Sequence, residues 1–159
     1  MILPARELMP LIHAALKRGQ HVRMTVNGSS MMPFLHDSDT VELKPARQLR
    51  LGDMVLVQSE ERYVLHRIIS INGASFFIRG DAQSWSEGPF TKENVLGRVT
   101  TAWRKDCKRI FERGFWRLAG LLWLHTNPLG FYLYRGTLTL RRFQRGAYRR
   151  FQRIWKQNL

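Results

Sequence analysis

Residues 62–81 read RYVLHRIISINGASFFIRGD. Two runs rich in Val, Ile, Tyr and Phe flank Asn72-Gly73, the strongest two-residue turn signal in the chain, so the stretch reads as a β-hairpin. With the turn at Asn72-Gly73, facing positions sum to about 145, which sets residue 66 opposite residue 79. Asp81 then lies only a couple of positions from His66, a polar residue in the middle of an otherwise apolar strand.

Outward from the hairpin, HVRMTV (21–26) alternates apolar and polar residues, TVELKP (40–45) and MVLVQ (54–58) are short strand candidates, and NVLGRVTTAW (94–103) is a last one. Ser38-Asp39, Gly52-Asp53 and Gly80-Asp81 supply turn chemistry between them. Six or so short strands of this kind predict a mostly β, compact antiparallel domain over about residues 20–103. Ahead of it, Leu8, Leu11, Ile12, Ala15 and Leu16 recur at helical spacing, with Pro4 suited to a first turn and Gly19 to a stop, which predicts an amphipathic helix over 4–18.

Charge divides the chain at the end of that domain. Of 26 Lys and Arg and 12 Asp and Glu, residues 1–99 hold 12 against 10, a net of +2, and residues 100–159 hold 14 against 2, a net of +12. The expected organisation is therefore a globular unit, 1–103, and a basic, aromatic-rich helical region, 104–159. In the latter, Leu140, Phe143, Ala147, Phe151, Ile154 and Trp155 form a helical stripe opposite six arginines. That composition points to an anionic membrane surface; a protein partner or nucleic acid phosphates are the alternatives. Residues 1–20 lack a signal-peptide pattern, and the most apolar window, 115–134, is interrupted by Arg117, His125, Asn127 and Pro128, so no clear membrane span is expected. The reading is peripheral membrane association, with the arginine excess favouring a cytoplasmic face. The single cysteine, Cys107, and five scattered histidines give no metal-ligand spacing, and no metal or organic cofactor is implied.

A stretch that could carry chemistry is VNGSSMMPFLHDSDTVEL (26–43), in which Ser29 and Ser30 precede Met31, Met32 and Pro33. A serine hydroxyl becomes a nucleophile when a base that titrates near neutrality takes its proton, and a carboxylate can orient that base. Ser30, His66 and Asp81 fill the three roles. Each also has a plainer reading: Ser30 and Asp81 as turn residues, His66 as a buried histidine satisfied by backbone, Glu87 as a solvated surface charge, and Met31 as core or the wall of a peptide groove.

Five segments in order, NGSSMMPFL (27–35), GDMVLV (52–57), YVLHRI (63–68), RGDA (79–82) and VLGRV (95–99), resemble the motifs of the signal peptidase I superfamily over roughly residues 20–100. The resemblance implies Ser30 as nucleophile and His66 as general base, in place of the lysine of most bacterial members and as in the endoplasmic-reticulum and archaeal types. It sets Asp81 on the family's Gly-Asp motif and Glu87 near a further acidic position. It also implies an oxyanion or substrate-binding role around Ser29 and Met31, although Gly28 replaces a side-chain hydroxyl and Ser29 a glycine. The implied activity is a serine endopeptidase of signal-peptidase type acting on a leader-like peptide, with small residues before the cut. The alternatives are a self-cleaving, repressor-like peptidase and a non-catalytic peptide-binding domain held by the basic tail.

Overall fold

The computed structural model describes residues 5–60 and 62–126, so the helix expected over 140–155 lies outside the described residues. Met1–His125 form one compact unit, and Thr126–Leu159 are assigned to a second. The first unit thus extends past the composition shift near residue 103.

The sequence folds as a β domain with a helix on either side in chain order: α1 (Ala5–Lys17), β1 (Val22–Thr25), β2 (Thr40–Lys44), β3 (Met54–Ser59), β4 (Arg62–Asn72), β5 (Ser75–Arg79), β6 (Glu87–Phe90), β7 (Val95–Arg104), β8 (Cys107–Ile110) and α2 (Gly114–Thr126). The strands form one antiparallel sheet in the order β1-β2-β7-β3-β4-β5-β6, with β8 also paired to β7. α1 turns Met9, Ile12 and Leu16 into the core, while Leu11, expected on that face, is exposed. Each such buried aliphatic side chain contributes about 1.5–3 kcal/mol. The core continues through Met31, Phe34 and Leu35 of the β1–β2 loop to Leu43, Met54, Leu56 and Val99. A smaller cluster of Val55, Val57, Ile68, Phe76, Ile78 and Phe90 covers another part of the sheet.

Two expectations change. The β4–β5 hairpin closes at Asn72 and Ser75, so its loop is Gly73-Ala74, and an irregularity between Ile68 and Ser70 sets the register Arg67 to Arg79. Continued by one step, that register aligns His66 with Gly80 instead of Arg79. Residues after 103 are also not uniformly helical: a turn at Lys105-Asp106 leads into β8, which pairs with β7. Its sequence, CKRI, conceals a strand because its arginine is the buried residue.

Candidate active site

The loop carrying Ser30 is fixed at its neck and at its far side. Val26 N–H donates to the Asp39 carbonyl at 2.8 Å, and Ser38 N–H donates to the Val26 carbonyl at 2.9 Å. Burial alone would raise the Asp39 carboxyl. Hydrogen bonds from Arg104, the His36 N–H and Arg109 overcome this and hold it far below the usual carboxylate range. Arg109 also donates to the Phe34 carbonyl, tying β8 to the loop. The Phe34 ring lies 4.7 Å from the Arg67 guanidinium and meets Trp123 edge-on at 5.9 Å.

Ser30 itself is held by its backbone. Its carbonyl accepts a hydrogen bond from Ala82 N–H at 2.8 Å. The approach is close enough that a Cβ placed at Gly80 would sit 2.7 Å from the same carbonyl oxygen, so only glycine fits there without displacement. Ser30 is therefore docked on the turn that leaves β5, beside Gly80, the position that the β4–β5 register, continued by one step, sets opposite His66. The Ser30 hydroxyl makes no hydrogen bond among the described residues.

His66 is 4% exposed, on β4. Its Nδ1 is buried, makes no hydrogen bond among the described residues, and lies 3.5 Å from Glu87 Oε1. The other Glu87 oxygen accepts from Arg62 at 2.8 Å. Burial pushes the imidazole pKa down; Glu87 and Asp81 raise it in part, and Arg62 lowers it. The net direction is downward, which leaves a neutral ring able to accept a proton near pH 7.

Asp81 does not pair with His66. Its two oxygens accept from Arg67 Nε and Nη2, each at 2.7 Å, and both residues are 2% exposed. The reason is the register: residues 66 and 67 point to opposite faces of the sheet, and Asp81 lies on the face of Arg67. Glu87, expected to be a solvated charge, is instead the carboxylate at the imidazole. Met31 is buried core, and Ser29 is exposed. His66 and Glu87 thus meet where β6 begins, the Ser30 backbone is held at the turn that leaves β5, and Asp81 and Arg67 form a separate buried pair.

Three contributors were not foreseen: Arg67, Arg109 and Trp123. Trp123 Nε1 donates to the Asp81 carbonyl at 3.0 Å from a helix 42 residues away in sequence. Arg67 had a visible signal, a cation inside an apolar strand that requires a buried partner.

The family model described as Peptidase S24-like matches residues 4–100 of the 159. No curated protein matches the chain. The matched segment contains Ser30, His66, Asp81 and Glu87, and ends before β8 and α2.

Proposed function

We propose that this chain, which belongs to the Peptidase S24-like family, is a serine endopeptidase in which Ser30 is the nucleophile, His66 the general base and Glu87 the carboxylate that orients the base. The observation that carries the reading is the environment of His66. It is a buried, neutral imidazole with a carboxylate at Nδ1, one strand from the turn that grips Ser30. In this scheme Nε2 takes the Ser30 proton as Oγ attacks the scissile carbonyl, and Glu87 stabilises the resulting imidazolium. His66 then protonates the leaving amine. Water, deprotonated by the same ring, releases the acyl group. The Ser30 N–H and the exposed Ser29 hydroxyl are the candidate oxyanion donors.

The substrate class we favour is a leader-like peptide in extended form, as in signal peptidases. Among the described residues β1 and β6 are the outer strands of the sheet path. β1 runs directly into the Ser30 loop and β6 begins with Glu87, so a strand added along β1 would reach Ser30. Incubating the chain with a fluorophosphonate should add one phosphonyl mass at Ser30. Ser30→Ala should abolish both the label and cleavage of peptides with small residues before the cut. An unlabelled wild-type chain that cleaves nothing in a peptide library refutes the assignment.

The family match also favours a second reading, cleavage of the chain's own polypeptide. It would appear as fragments on a gel that are absent from Ser30→Ala and form at a rate independent of protein concentration.

We further propose that the region from residue 104 onward attaches the enzyme to an anionic membrane surface. No described helix is long and apolar enough to cross a membrane. Phe115, Leu118 and Leu122 are exposed at helical spacing along α2. Flotation with vesicles containing phosphatidylserine, but not with neutral vesicles, is the expected result.

A further inference from the structure

We infer that Trp123 of α2 is a positioning residue for Ser30, acting through the single peptide group between Asp81 and Ala82. The inference rests on Ser30 being the nucleophile.

The carbonyl of that peptide accepts from the Trp123 indole at 3.0 Å, and its N–H donates to the Ser30 carbonyl at 2.8 Å. One planar amide therefore links the indole to the backbone of the proposed nucleophile. A donor on the carbonyl polarises the amide and strengthens the bond made by its N–H. The amide plane is stiff, so the indole also fixes the direction of that N–H.

The surroundings immobilise both ends of this relay. Asp81, which supplies the carbonyl, has its carboxylate locked by Arg67, and Arg67 Nη1 donates to the Gly52 carbonyl at 2.9 Å. α2 lies so close to that guanidinium that a Cβ at Gly120 would be 2.6 Å from Nη1. Arg117 of the same helix donates to Asp53 at 2.9 Å. The indole ring packs against Phe34, four residues beyond Ser30. The helix that follows the family-matched segment thus reaches the Ser30 loop twice, through a ring contact and through the Asp81–Ala82 amide.

Trp123→Phe separates these two contacts, since it retains an aromatic ring beside Phe34 and removes the N–H. Trp116→Phe is the control: Trp116 is also on α2, packs on Phe111 and Phe115, and has the Arg109 guanidinium 5.8 Å from its ring. Both variants would be studied in the full-length chain by two measurements. The first is the rate of Ser30 phosphonylation by a fluorophosphonate, followed by intact mass. The second is hydrogen exchange of the Ala82 amide by NMR. Trp123→Phe should slow labelling about fivefold, the size of one net hydrogen bond, with the pH midpoint of labelling unchanged. It should also speed Ala82 exchange by a similar factor. Trp116→Phe should lower thermal stability and leave labelling and Ala82 exchange at wild-type values. Wild-type labelling and exchange in Trp123→Phe, or equal changes in both variants, overturns the inference. A wild-type chain that takes no label at Ser30 fails the peptidase reading instead, and the Ala82 amide alone then decides whether Trp123 holds the loop.

Discussion

His66 and Arg67 are consecutive residues of β4, so the pleat sends them to opposite faces of the sheet, and each meets a carboxylate from beyond β5. On one face Arg67 and Asp81 form two bonds of 2.7 Å in near-complete burial. On the other, the imidazole and Glu87 are 3.5 Å apart with no hydrogen bond on Nδ1 among the described residues, and Glu87 is shared with an exposed Arg62. A guanidinium is charged at every accessible pH, so the first pair is a fixed brace. An imidazole titrates near neutrality and its burial favours the neutral form, so the second pair is loose and can change protonation. Adjacent positions of one strand therefore serve structure and chemistry separately, and variants at each should fail in different ways.

The sharpest break of this contrast is His66→Ala. Loss of the base should lower the Ser30 labelling rate by about 10⁴-fold. Any loss of stability should come from the cavity left at this buried site rather than from a lost hydrogen bond, since Nδ1 makes none among the described residues. Arg67→Met should do the reverse. It leaves the Asp81 carboxylate buried and unpaired, which costs roughly 3–5 kcal/mol. The urea midpoint should fall accordingly. Arg67→Met combined with Asp81→Leu should recover most of that loss, because the two apolar side chains no longer leave a charge behind. A double variant as unstable as the single one would mean that Asp81 is held by something other than Arg67.

Much of this arrangement was legible beforehand, and the failures have physical causes. The Asn72-Gly73 signal located the hairpin, and the serine-loop and strand motifs came in the right order. The register of β4 and β5 was not legible, because the irregularity at Ile69 shifts it by one residue and no propensity marks that position. One residue of slip exchanges the faces of a strand, and so Asp81 was assigned to His66 when it belongs to Arg67. β6 was hidden by Gly88-Pro89, which lie inside it and disfavour a strand reading. β8 was hidden because its buried side chain is an arginine. The charge division at residue 100 was real as arithmetic, yet it overstated the separation. Arg104, Arg109 and Arg117 from the basic region satisfy Asp39 and Asp53 inside the β domain. Asp39 and Asp53 read as ordinary turn residues, and each does accept a backbone N–H from three residues back, but the arginines that pair with them lie far along the chain.

Glu87→Gln probes the looser pair alone. The amide keeps the shape and removes the charge that raises the imidazole pKa. The acid limb of the labelling rate should therefore move to lower pH, and the plateau should fall roughly tenfold as the imidazolium loses its stabilising partner. Asp81 also raises the His66 pKa through space, though less than Glu87 does. Asp81→Asn should thus move the acid limb in the same direction by a smaller amount. A larger movement for Asp81→Asn would reverse the assignment of the two carboxylates.

The smallest effect is on stability as a function of pH. His66 has a lowered pKa in the folded chain, so between that value and its ordinary value of 6.5 the unfolded chain binds more protons than the folded one. Stability is then at its full value above pH 6.5 and declines as pH falls toward the folded pKa, with a slope of at most one proton. His13 and His36 are also shifted downward, mainly by burial, and decline in the same window. A single titration curve cannot separate the three, but the difference between wild type and His66→Gln can, because glutamine carries no proton to release. Urea midpoints between pH 7.5 and 5.5 should fall more steeply for wild type than for His66→Gln. Glu87→Gln, in which the folded pKa drops further, should extend the wild-type decline to lower pH. Parallel curves for wild type and His66→Gln would mean that the imidazole is equally at ease charged and neutral in its buried site. The contrast between the two faces of β4 would then lie in geometry alone.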